Sequence, residues 1–177
     1  MKKIISATLL LFSVTISYGQ KVDIKAMIDS LQFSRADTFN CKAEIYWRIV
    51  SQGKEAIPLL IDKLTDTSLT NFRFHCKKTK LNVGEVAHFL LNEIAYFPAF
   101  LVTKIQFDTF ELDETGQLCW SFYNFLFINS NKPRYQKSVR EWYDQEKAKY
   151  KAIKISNKDQ TECQKQFRID TYYRWTE

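Results

Sequence analysis

Glu85 and His88 stand three residues apart, a spacing that puts a carboxylate and an imidazole on one face of a helix. Di-iron helical bundles use that spacing, but they need a second such pair and two further carboxylates. The only other histidine is His75, and no glutamate precedes it at the required distance. A solvated pair on a helix surface is therefore the expected role of Glu85 and His88. His75 is followed directly by Cys76, and Lys77, Lys78 and Lys80 come next. A thiol among lysines is activated as a nucleophile, with His88 as a conceivable base; adjacent residues seldom face each other, however, and an exported thiol so placed oxidises readily. The acid pairs Asp108 with Glu111 and Asp113 with Glu114 have the chemistry of glycoside hydrolysis. They fall in a polar, turn-like stretch and read as a solvated loop. The sequence holds no Gly-x-Ser-x-Gly elbow, phosphate loop, dinucleotide fingerprint or His-Glu-x-x-His. The expectation is a protein with no catalytic residues, no metal and no cofactor.

Two other groups of side chains invite a binding role. Trp120, Tyr123, Trp142, Tyr172, Tyr173 and Trp175 are of the kind that stacks on sugar rings, although in a chain with 15% aromatic residues most rings must fill the core. The stretch 65–80 has no helical period and reads as the long loop of the domain. Its Phe72, Phe74, Lys77, Lys78 and Lys80 are the candidate contacts for a partner, against the alternative of a solvated loop.

The first twenty residues read as an address. Lys2 and Lys3 precede an apolar run from Ile4 to Ile16, and Ser17-Tyr18-Gly19 places small residues at a cleavage point before Gln20. That is the secretory signal pattern, expected over 1–19, with one domain over 20–177. The run is shorter than the ~20 residues a spanning helix needs. No later stretch is long and apolar enough either, so no membrane span is expected after cleavage. Without the leader lysines, 24 bases exceed 20 acids by four, and they are spread along the chain. Such a balance does not suggest nucleic acid, which selects charge gathered on one face. In an oxidising compartment Cys41, Cys76, Cys119 and Cys163 permit two disulfides in any of three pairings, with buried free thiols as the alternative.

The elements that must position these residues read as helices. Only four Gly and three Pro argue against a sandwich or barrel. Apolar residues recur at helical spacing over 21–32, 41–52, 54–64, 83–96 and 133–149. Asn82 and Glu85 form a capping box, Gly53 suits the left-handed residue after a helix, and Pro98 suits the start of a short one. Leu118 to Ile128 is expected as a buried helix, with a strand as the alternative. The aromatic end at 167–175 is expected to dock on the body.

Gly53-Lys-Glu-Ala-Ile-Pro-Leu-Leu60 is echoed by Gly84-Glu-Val-Ala-His-Phe-Leu-Leu91. The first copy resembles the second helix of HEAT-type repeats. The resemblance covers roughly 41–107, and it implies an all-α domain of stacked helix pairs that binds other macromolecules, with no catalytic residues to carry over. The function expected on these grounds is an exported, non-enzymatic protein acting through contacts with an unidentified protein partner. A small envelope hydrolase or a carbohydrate-active or carbohydrate-binding protein is the alternative.

Overall fold

Asn82 opens the central helix as its sequence requires. Its side chain accepts from the Glu85 N–H, and the Glu85 carboxylate accepts from the Asn82 N–H, so two otherwise unpaired donors of helix α4 (Val83–Ile94) are satisfied reciprocally. The computed structural model describes residues 22–177; the leader expected over 1–19 lies outside the described residues. Before α4 come α1 (Ile24–Asp29), α2 (Glu44–Val50) and α3 (Ile57–Lys63). Gly53, between α2 and α3, takes φ +58°, which a side chain resists. Helices α3 and α4 lie against each other. Gly84 permits this, because a Cβ there would sit 2.4 Å from the Leu64 carbonyl oxygen. Ile57, Leu60 and Ile61 of α3 meet Val86, Ala87, Leu90 and Leu91 of α4 in the core.

Helix α5 (Ala99–Thr103) is followed by a hairpin, β1 (Phe110–Leu112) and β2 (Leu118–Trp120). Next come α6 (Ser121–Phe127) and the long amphipathic α7 (Lys132–Glu146), whose buried side presents Tyr135, Val139 and Tyr143. The chain ends with β3 (Tyr150–Lys154), α8 (Glu162–Gln166) and β4 (Thr171–Trp175). Strands β3 and β4 pair antiparallel in full register, from Tyr150 opposite Trp175 to Lys154 opposite Thr171. The expected docking of the aromatic end takes this form. Tyr173 also accepts from the Tyr96 N–H just beyond α4.

The all-α expectation is thus corrected. Two antiparallel sheets accompany the helices, and the fold is mixed α and β. Each strand is rich in aromatic and apolar residues, which suit a pleated, half-buried surface. The β3–β4 partners are joined through α8 and its flanking loops, so local periodicity does not reveal them. Leu118 to Ile128, expected as one helix, divides instead into β2 and α6 at Trp120 and Ser121. No helix among the described residues is long and apolar enough to cross a membrane.

Candidate functional site

The β1–β2 hairpin is held shut by its turn. Asp113 Oδ1 accepts from the Thr115 N–H and hydroxyl and from the Gln117 N–H, while the Asp113 N–H donates to Gln117 O. The bond from the Thr115 hydroxyl, then that from the Gln117 N–H, keeps the Asp113 carboxyl below its ordinary range. Strand pairing sets Phe110 opposite Trp120, Glu111 opposite Cys119, and Leu112 opposite Leu118. Residues opposite one another share a face. One face therefore carries Phe110, Leu112, Leu118 and Trp120; the other carries Glu111 and Cys119.

The Cys119 face is anchored. Cys119 is joined to Cys76 in the loop 65–80, and Cys41 to Cys163 at α8. Beside the first bridge, His75 Nε2 lies 3.3 Å from Leu118 O. A carbonyl oxygen can only accept, so this contact is a hydrogen bond in the tautomer that carries its proton on Nε2. Around the bridge, a cavity of about 420 Å³ is lined by His75, Lys78, Glu111, Asp113, Glu114 and Asn124 among others. Its acids are engaged: Asp113 in the turn, Glu111 accepting from Asn124 Nδ2 at 3.3 Å, and Glu114 paired with Lys78 at 2.6 Å. Glu114 also raises the Lys78 pKa.

The opposite face stands in water. Phe110, Leu112 and Leu118 are 62%, 68% and 65% exposed, while Trp120 turns inward and donates through Nε1 to Phe107 O. Thr109, Glu111 and Asp113 direct their backbone polar groups toward β2, since Ser121 N–H meets Thr109 O and Asp113 N–H meets Gln117 O. By the alternation of an antiparallel ladder, Phe110 and Leu112 point theirs away from it. On the far side of β2, His75 approaches Leu118 O. On the edge of β1, the Phe110 and Leu112 backbone groups meet no partner among the described residues.

The residues singled out in the sequence fall elsewhere or serve the scaffold. Phe72 is fully buried and stacks on Phe39, and Phe74 packs against Phe89, Tyr123 and Phe127. Lys77 pairs with Glu85 at 2.6 Å, and Lys80 donates to Asn71 Oδ1. Of the five loop residues proposed as contacts, Lys78 is the one with an exposed side chain. Glu85 is fully buried; besides Lys77 it binds Lys132, itself 1% exposed, at 3.1 Å. Burial lowers the Lys132 pKa, and Glu85 opposes that effect. His88, expected on a surface, is buried between the Tyr135 hydroxyl and the Asn92 amide, both at 2.9 Å, and burial pushes its pKa down to about 3. Glu85 and His88 thus bond to different partners within the core.

Cys76 is not a thiol here but half of a disulfide, and no free cysteine occurs among the described residues. The rings considered for sugar stacking are all at least partly covered, and two more indoles are engaged: Trp142 Nε1 donates to Tyr150 Oη and Trp175 Nε1 to Glu146. In the sequence the exposed hairpin residues are masked by the acidic, turn-like composition of 108–117. The signal was there as apolar residues every second position, Phe110 and Leu112 before Asp113-x-x-Gly116, then Leu118 and Trp120 after it. No protein-family model, curated protein or solved structure matches this chain.

Proposed function

We propose that this chain is an exported, non-enzymatic binding protein whose contact element is the β1–β2 hairpin. The observation that carries the reading is the set of three large apolar side chains, Phe110, Leu112 and Leu118, held in water on a hairpin anchored by its other face. Burying such side chains stabilises a complex by roughly 1.5–3 kcal/mol each before the costs of association. The two disulfides suit an oxidising compartment outside the cytoplasm, and the leader pattern at 1–19 supplies the route there.

The occupant is an extended segment of another protein, added as a strand along β1, with basic and apolar side chains in alternation. Phe110 and Leu112 offer the free backbone groups. The charged residues of 108–117, Asp108, Glu111, Asp113 and Glu114, are all acids. A second copy of this chain fits poorly. Antiparallel pairing of two β1 strands about Glu111 sets that carboxylate against itself, and pairing about Leu112 sets Glu111 against Asp113.

Site-specific photocross-linking tests the reading. A photoreactive residue at Leu112, in the protein exported to its own cell envelope, should give a discrete adduct with another protein. The same group at Phe33, which is 76% exposed on a different element, should not. Matching adducts at both positions, or none at Leu112, would overturn the assignment.

A further inference from the structure

We propose that Cys76, Cys119 and His75 form a redox-gated site for a thiophilic divalent cation such as Zn²⁺, closed while the disulfide stands and opened by its reduction. The two sulfurs and a His75 ring nitrogen already lie within 4.8 Å of one another. Two thiolates and an imidazole are three of the four ligands of a tetrahedral zinc site, leaving one position for water or a nearby carboxylate. The backbone sets the imidazole beside the sulfur, because His75 Nε2 and Cys76 Sγ both approach Leu118 O, at 3.3 and 3.9 Å; a ring nitrogen that donates to a carbonyl leaves the other with the lone pair a metal takes. The surroundings favour a cation. Glu111, Asp113 and Glu114 line the same cavity, and its lysine, Lys78, is paired with Glu114.

The other bridge offers the contrast. Beside Cys41 of Cys41–Cys163 a cavity is lined by Lys42, Glu44, Arg48, Gln166 and Phe167, with no histidine among them and with Glu44 paired to Arg48. Reduction there yields two thiols without an imidazole in that lining.

The chemistry balances with one co-reactant. A dithiol reductant gives two electrons and two protons to the Cys76–Cys119 bond and becomes a disulfide itself. Zn²⁺ then displaces the two thiol protons, which pass to water. The hairpin stays tethered to the loop 65–80 in both states, first by a covalent bond and then by a metal clasp. Only the reduced, metal-free form releases it.

The test uses the whole protein, reduced with a non-chelating phosphine under anaerobic conditions and titrated with Co²⁺ as a spectroscopic substitute for Zn²⁺. One equivalent of Co²⁺ should produce thiolate-to-cobalt charge transfer with a tetrahedral visible spectrum, bleached by Zn²⁺. The unreduced protein should give none. His75→Ala, at an exposed position, should weaken binding about ten- to a hundredfold or more. Cys41→Ser with Cys163→Ser should keep the spectrum, and Cys76→Ser with Cys119→Ser should abolish it. Absence of the spectrum after reduction, or equal affinity in His75→Ala, would overturn the site. Neither result bears on the cross-linking at Leu112, which reads the oxidised protein.

Discussion

Strands β3–β4 and β1–β2 are both two-stranded antiparallel ladders, and they meet the rest of the molecule in opposite ways. The five-residue ladder of β3 and β4 is part of the body: Tyr150 is 2% exposed, its hydroxyl donates to Tyr96 O and accepts from Trp142 Nε1, and Tyr173 pairs with the segment after α4. The three-residue ladder of β1 and β2 is held by a turn, a disulfide and the half-buried Trp120, and it leaves its other apolar side chains outside. An isolated two-stranded hairpin is marginal in water, so each ladder needs outside support. One obtains it by burying aromatic faces. The other obtains it through Cys76–Cys119 and keeps an apolar face free. Packing explains the first ladder. It does not explain why Phe110, Leu112 and Leu118 are apolar, and that asymmetry is the ground for assigning function to the hairpin.

Substitutions can break the comparison, and the largest effects belong to the body. Tyr150→Ala should cost roughly 3–5 kcal/mol, as expected for a large buried ring, read as a shift of the denaturant midpoint. Glu85→Ala should cost about 3–5 kcal/mol in the same assay, because Lys132 then stays buried without its counter-charge. Gly84→Ala comes next, at about 1–3 kcal/mol, since the new methyl meets the Leu64 backbone and not a yielding side chain.

The pH dependence sharpens the same division. Folded His88 holds a pKa of about 3 against an ordinary 6.5. The unfolded chain therefore binds a proton that the folded one refuses. The stabilisation is fully present above pH 6.5 and is lost as pH falls from there toward 3, at about 1.4 kcal/mol per pH unit. Urea unfolding across that range should show this limb, and His88→Gln should flatten it.

How far the sequence reveals this arrangement depends on whether a signal is local. The capping box of Asn82 and Glu85, the helices at α3, α4 and α7, and the left-handed Gly53 are all set by neighbours within a few residues, and they fall where the periodicity places them. The pairing of β3 with β4 is different. It joins residues separated by α8 and its flanking loops, and nothing within either strand names its partner. His88 and Glu85 show the same limit. Their spacing puts them on α4, but their burial depends on Tyr135 and Lys132, forty-seven residues away. The loop 65–80 reads as a contact surface because its basic and aromatic residues are near one another in the chain. In the folded protein Phe72 and Phe74 face the core, and Lys77 answers a buried carboxylate. The disulfide pairing, left open among three arrangements, is likewise a property of the assembled chain.

The smallest effects on stability belong to the presented face. Leu112→Ser and Leu118→Ser should each stay within about 0.5 kcal/mol of the parent, while lowering adduct yield when the photoreactive group is placed at Phe110. A loss of several kcal/mol would mean that these residues pack against something in the isolated fold, and the contrast between the ladders would dissolve.

Amide hydrogen exchange of the oxidised protein, alone and bound to the partner recovered by cross-linking, bears most directly on the hairpin as contact element. The account predicts that the Phe110 and Leu112 amides, which point away from β2, exchange fast in the free protein and become protected in the complex, while Glu111 changes little. Protection that appears elsewhere and leaves Phe110 and Leu112 fast would contradict it.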